Sequence, residues 1–186
     1  MRCTPPLRHR LTGVAVAVAG LACLGAATAV PASAAVPSAG SPHSGCVRHD
    51  NLVEHVHSRY SGDVTHPKVG DTSVFADTLD NADGHLVDLS VGNAVMAYTA
   101  DNGHIMQHVT GIDYFKDGTV RIDGIVDILA VAQGVPQSLT ATGLTGRYRG
   151  LVGTRDFTAQ DVATPTSPVP STYSAQVDLC PASDTA

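Results

Sequence analysis

Asp77 is the residue of this sequence best placed to do chemistry. In the segment SVFADTLD it stands two residues from Phe75 and two from Leu79, and alternate residues of a strand share a face. A carboxyl group among apolar neighbours has its charged form disfavoured, so its pKa rises and it can donate a proton near neutral pH. Such a group orients or protonates a bound ligand. The competing reading turns this face outward, or gives Asp77 only a bond to a neighbouring strand. Phe75 and Leu79 are the larger apolar pair, so the expectation is that they point inward and carry Asp77 with them.

Other residues fall into similar patterns. Met106, His108, Ile112 and Tyr114 share a phase, which puts a histidine on an apolar face; Ala94, Met96 and Tyr98 form a second such row. Phe75, Leu79, Met96, Tyr98, His108 and Tyr114 are therefore the expected ligand-binding set, with His108 read alternatively as a hydrogen-bonded core or surface residue. Arg121, Asp123 and Asp127 line one face of TVRIDGIVDIL, opposite Val120, Ile122, Val126 and Ile128. The Val/Ile face is the natural core, which makes the charged one a solvated surface; turned inward, the same cluster would bind a polar head group. His55 and His57, with His49 and His66 nearby, match a metal-ligand spacing, but without a third fixed ligand they earn no metal assignment. No G-x-S-x-G, HExxH or phosphate-cradling glycine loop occurs, and the lack of Trp disfavours a sugar-stacking platform.

The elements that must position these residues are strands. Asp83-Gly84, Asn102-Gly103 and Asp117-Gly118 are hairpin turns, and they separate runs of alternating polarity. The run from Leu86 to Thr99 changes apolar phase beside Gly92, which predicts a β-bulge there. NLVEHVHSRY reads as a short strand or helical turn, and Gly134-Val135-Pro136 breaks the pattern before SLTATGL. RYRGLVGTRDFTAQDV is another long strand, and a Pro/Ser/Thr loop leads to the last, YSAQVDLC. No amphipathic helix is expected after Arg59. Short hairpin connections favour an all-β, antiparallel barrel of seven to nine strands, eight as the central expectation, over a sandwich.

The ends of the chain set its compartment. Arg2, Arg8 and Arg10 precede an apolar run from Leu11 to Ala29, and Ala32-Ser33-Ala34 supplies small residues. This is the pattern of a secretory signal peptide spanning 1–34, with cleavage between Ala34 and Ala35. Residues 35–45 read as a flexible lead-in and 46–186 as one domain. The leader holds three of the eleven basic residues and none of the seventeen acids, so the remainder has 8 Lys+Arg against 17 Asp+Glu, a net charge of −9. An acidic chain without a basic cluster is unsuited to a nucleic-acid backbone. No stable membrane association is expected after cleavage. Cys46 and Cys180 are the cysteines left after the leader, and an even pair in an exported protein reads as a disulfide.

VGDTSVFADTLDNADGHLV, DGTVRIDGIVD and SLTATGLTGRYRGLVG together resemble the allene oxide cyclase and dirigent barrels, with TGLTGRYRG the most specific piece. The resemblance runs from Val69 to Phe157; Glu54, the chain's one glutamate, lies ahead of it. Gly134 to Gln137 stand where dirigent proteins carry an acidic and basic pair. The resemblance implies an up-and-down barrel around a small hydrophobic molecule, with cofactor-free cyclase, isomerase or stereo-guiding activity. It gives Asp77 the place of the dirigent aspartate. The alternatives are a lipocalin-like carrier without chemistry and an extracellular structural or interaction protein; a homo-oligomer is compatible with either.

Overall fold

The computed structural model describes residues 45–161 and 169–182. The leader, its cleavage site and almost all of the lead-in lie outside the described residues. Nine strands follow one another: β1 (Val47–His55), β2 (Ser58–Ser61), β3 (Thr72–Asp80), β4 (Leu86–Thr99), β5 (Ile105–Phe115), β6 (Gly118–Asp127), β7 (Gln137–Gly143), β8 (Leu151–Ala159) and β9 (Thr172–Pro181). From β3 to β9 each strand pairs antiparallel with the next, and β1 pairs with both β9 and β3, which closes the sheet. β2 continues the line of β1 along β3 without a change of register: His55 faces Thr78 and Ser58 faces Phe75. The result is an eight-stranded up-and-down barrel with one extra strand, and closure leaves no long unpaired edge among the described residues.

The turns form where the sequence places them. Gly84 and Gly103 have φ of 76° and 83°, a region that costs glycine nothing. Asn81 and Asn102 accept hydrogen bonds from the backbone N–H groups of His85 and His104. Two local expectations change. β4 keeps one inward row through Asp88, Ser90, Gly92, Ala94 and Met96, with no bulge beside Gly92; the irregularity falls between Met96 and Tyr98. Leu89 and Val91 are outside, because the interior at that level is polar. The run TVRIDGIVDIL also ends earlier than expected, in a short helix α1 (Ile128–Ala132) capped by the Asp127 carboxylate on the amides of Leu129 and Ala130.

One end of the barrel is filled. Leu52, Leu79, Phe115, Val120, Tyr148, Val177 and Leu179 pack together there. Tyr148 is fully buried, and its hydroxyl donates to Asp117 Oδ1 at 2.8 Å. Gly143 allows the Tyr148 segment to close over this end, since a Cβ there would come within 1.7 Å of the Tyr148 carbonyl oxygen. Gly146 has φ of 60°, and a Cβ there would come within 1.9 Å of the Asp117 carbonyl oxygen, so the TGLTGRYRG signature is a plug seated on the β5–β6 turn. Cys46 and Cys180 form the expected disulfide, with Cα atoms 4.1 Å apart across a sequence separation of 134.

Candidate functional site

The opposite half of the barrel is hollow. An outer chamber of about 360 Å³ lies among the β2–β3 loop, the β4–β5 turn and α1, walled by Val64, Pro67, Met96, Ile105 and Leu129. An inner cavity of about 100 Å³ lies deeper in the lumen, bounded by Phe75, Asp77, Val109, Ile122, Leu139 and Phe157. Tyr60, Gln107, Val131, Val169 and Tyr173 belong to both walls and make the neck between them.

The cavity's shape at mid-depth follows from two glycines. Gly92 on β4 faces Gly111 on β5, and the Phe75 ring occupies the space above both: an added Cβ would lie 2.5 Å and 3.1 Å from its Cζ. Below the ring the wall becomes polar. Asp77 faces Ser90 across β3–β4, and Ser90 faces Asp113 across β4–β5. Ser90 Oγ donates to Asp113 Oδ1 at 2.6 Å. From β8, Arg155 donates through Nη2 to Glu54 Oε1 at 2.7 Å and brings Nε to 3.3 Å from Asp113 Oδ2. Asp88, 2% exposed, completes the group.

Four carboxyl groups around one guanidinium cannot all be ionised away from water. Burial opposes charge on Arg155, yet Glu54 and Asp113 hold its pKa above the ordinary value. Burial, and then Asp113, push Asp88 upward; burial raises Asp113 as well. Asp77 is 6% exposed and is pushed up to about 6, chiefly by burial and secondarily by Glu54, against the lowering effect of a hydrogen bond from the His57 amide. That amide reaches Asp77 Oδ1 at 2.5 Å, and Oδ2 has no partner among the described residues. The site therefore holds a carboxyl group that is fixed by one oxygen, takes up a proton near pH 6, and borders a cavity.

The expected ligand-binding residues divide. Phe75 lines the inner cavity and Met96 the outer chamber, while Leu79 is fully buried in the packed end. Tyr98, His108 and Tyr114 are corrected to the outer surface. The irregularity after Met96 turns Tyr98 out, where it is 47% exposed. On β5 the inward row is Gln107, Val109, Gly111 and Asp113, so His108 pairs instead with Asp123 at 3.4 Å outside, and Tyr114 is half exposed. Arg121 and Asp123 are exposed, as a solvated face requires. The N-terminal histidines have separate partners: His49 stacks on Phe115, His55 approaches Asp80, and His66 bonds Asp63.

Glu54, Asp88, Asp113 and Arg155 were not among the expected site residues. Alternation carried a signal for two of them. Glu54 shares its row with Leu52 and Val56, and Arg155 stands between Gly153 and Phe157, each a lone charge in an apolar phase.

The sequence matches the family described as allene oxide cyclase barrel like domain over residues 54–171. The chain belongs to that family. The match begins at Glu54 itself, so this residue lies inside the family region and not ahead of it. Among solved structures of the same barrel, AbnU, an exo-specific intermolecular Diels–Alderase, superposes with a TM-score of 0.65 at 24% identity, over 72% of this chain and 96% of that one. The Diels–Alderase AbmU from Streptomyces koyangensis is similar with a TM-score of 0.64 at 26% identity, over 74% of this chain and 64% of that one. The pterocarpan synthase dirigent protein PsPTS1 shares the fold with a TM-score of 0.59 at 12% identity, over 75% of this chain and 97% of that one.

Proposed function

We propose that this protein is exported, takes a small hydrophobic compound into its two-part lumen, and guides or catalyses a cyclisation or isomerisation of it without a cofactor. The observation that carries the reading is Asp77, a buried carboxyl with a pKa of about 6 at the wall of a cavity. The allene oxide cyclase-type barrel and the cyclisation reactions of its Diels–Alderase relatives support it.

The chemistry asked of the chain is modest. Apolar walls hold a flexible ligand in one conformation, which lowers the entropic part of the barrier. Protonated Asp77 donates a hydrogen bond or a proton to an oxygen of the ligand, drawing electron density from the reacting system. The His57 amide fixes the carboxyl while the reaction proceeds. Arg155, Glu54 and Asp113 form a rigid polar floor beside it.

A carrier without chemistry is the second reading. It is favoured by volume, because the larger chamber lies outward of Asp77. One experiment separates the two. Small molecules that co-purify with the exported protein are identified by mass spectrometry, and their conversion is followed with wild type and Asp77→Asn. A loss of about a hundredfold in rate or of product stereochemistry supports catalysis; unchanged conversion with retained binding leaves a carrier.

A further inference from the structure

The outer chamber has a polar pair of its own, outside the inner wall that holds Asp77. His104, in the β4–β5 turn, lines the outer chamber, and its Nδ1 lies 2.6 Å from Asp127 Oδ2. Burial works against ionised Asp127, but bonds from His104 and from the Ala130 and Leu129 amides hold its pKa below the ordinary value. An ionised carboxylate only accepts, so the proton of this pair is on His104 Nδ1. Nε2 is then the ring nitrogen left for a ligand, and it has no partner among the described residues.

Asp127 is fixed on every side. Oδ1 caps α1, Oδ2 takes His104, and its amide donates to Gln137 Oε1. The imidazole is thereby oriented as in a carboxylate–histidine pair, with Nε2 turned to the ligand; in the neutral ring that atom accepts a hydrogen bond from a hydroxyl group.

The rest of the lumen defines the charge of the ligand. Asp63 and Asp71 contribute to the outer wall, and among the described residues neither lysine nor arginine does. Arg155, the cation of the inner wall, is engaged by Glu54 and Asp113. A carboxylate or phosphate entering this space meets carboxylates and, among the described residues, finds no free lysine or arginine. We infer that the His104–Asp127 pair is a second recognition point, which binds the hydroxyl of an uncharged ligand whose other end reaches Asp77. The substrate class is an apolar molecule bearing an alcohol, phenol or enol at its outer end, not a free fatty acid. This inference rests on the lumen being the ligand site.

The test uses a hydroxynaphthyl methyl ketone, its methyl ether and the matching hydroxynaphthoate as fluorescent probes on the intact protein. The hydroxyl ketone is expected to bind about tenfold more tightly than the ether, as one added hydrogen bond allows, and the carboxylate at least tenfold more weakly than the ketone. His104→Leu is expected to erase the preference for hydroxyl over ether. Asp127→Asn keeps a good helix cap and reduces the preference without removing the fold. Equal binding of hydroxyl and ether by wild type, an undiminished preference in His104→Leu, or tight binding of the carboxylate overturns the inference alone. Failure of every probe to bind overturns the lumen reading and the inference with it.

Discussion

Arg155 Nη2 donates to Glu54 Oε1 at 2.7 Å across a sequence separation of 101 residues, and both side chains are almost completely buried. The pair joins β8 to β1 through the lumen, with Asp113 on the guanidinium's other side. Removing one member leaves its partners charged and unsolvated, which costs more than the pair contributes. Arg155→Met is therefore expected to lower stability by about 3–5 kcal/mol. Adding Glu54→Gln to that variant should recover part of the loss. Urea unfolding of the two single variants and the double one measures this; additive losses would show that the buried contact does not couple them.

Asp77 makes stability depend on pH in a defined direction. Its pKa is about 6 in the folded protein against an ordinary value near 4 in the unfolded chain. The folded state then holds more protons than the unfolded one between those values, so stability present below about pH 4 is lost as pH rises through about 6. The cost above that window is on the order of 3 kcal/mol. Asp77→Asn does not titrate, so its stability relative to wild type should climb between about pH 4 and 6 and then level off. A difference between the two proteins that stays constant with pH would contradict the burial argument.

The same proton sets the expected rate profile. If protonated Asp77 is the donor, kcat/KM for the identified ligand falls above about pH 6, the pKa of the free protein's acid. Asp77→Asn should flatten that limb as well as lower the rate. A wild-type profile level from pH 5 to 8 would remove Asp77 from the chemistry.

The barrel was legible because its turns and its cleanest strand obey simple rules. Asn-Gly and Asp-Gly pairs mark hairpins, and Val120, Ile122 and Val126 alternate with exposed residues along β6. The site was legible at β3, where Phe75, Asp77 and Leu79 share the inward row, and at Met96 on β4. β4 inverted the rule that apolar residues face inward: Asp88 and Ser90 are buried while Leu89 and Val91 are exposed. A polar interior removes the contrast on which such reading depends. The phase of Met106, His108 and Tyr114 misled for a related reason, since β5 carries apolar residues on both faces. His104–Asp127 and Glu54–Arg155 are contacts between distant segments, and spacing along one segment carries no record of them.

Reduction of the disulfide should loosen the barrel at its closing seam. Cys46 precedes β1 and Cys180 is the penultimate residue of β9, the strands whose pairing brings these two segments together. A loop of 134 residues gives ~5 kcal/mol in the chain-entropy treatment, and losses of 2–5 kcal/mol are usual for small secreted domains. Cys46→Ser/Cys180→Ser is expected to lose about that amount in denaturant unfolding while retaining the far-ultraviolet spectrum of the barrel. Equal stability of the oxidised and substituted proteins would mean that β1–β9 pairing alone holds the seam.

Phe75 sets the depth to which a ligand can enter. Its ring lies over Gly92 and Gly111, and a Cβ on Gly92 would also come within 2.2 Å of the Thr110 carbonyl oxygen. Gly92→Ala must therefore displace both ring and backbone, and is expected to destabilise the fold by roughly 1–3 kcal/mol and to shrink the inner cavity. Phe75→Ala has the opposite effect on space, joining the volume of the ring to a cavity of about 100 Å³. It should admit a bulkier group beside Asp77, at a stability cost of about 3 kcal/mol. The measurement is binding of a series of aryl ketones of increasing bulk to wild type and Phe75→Ala. A shift of the preferred size upward in the variant places the ligand at Asp77; the same preferred size in both would place it wholly in the outer chamber.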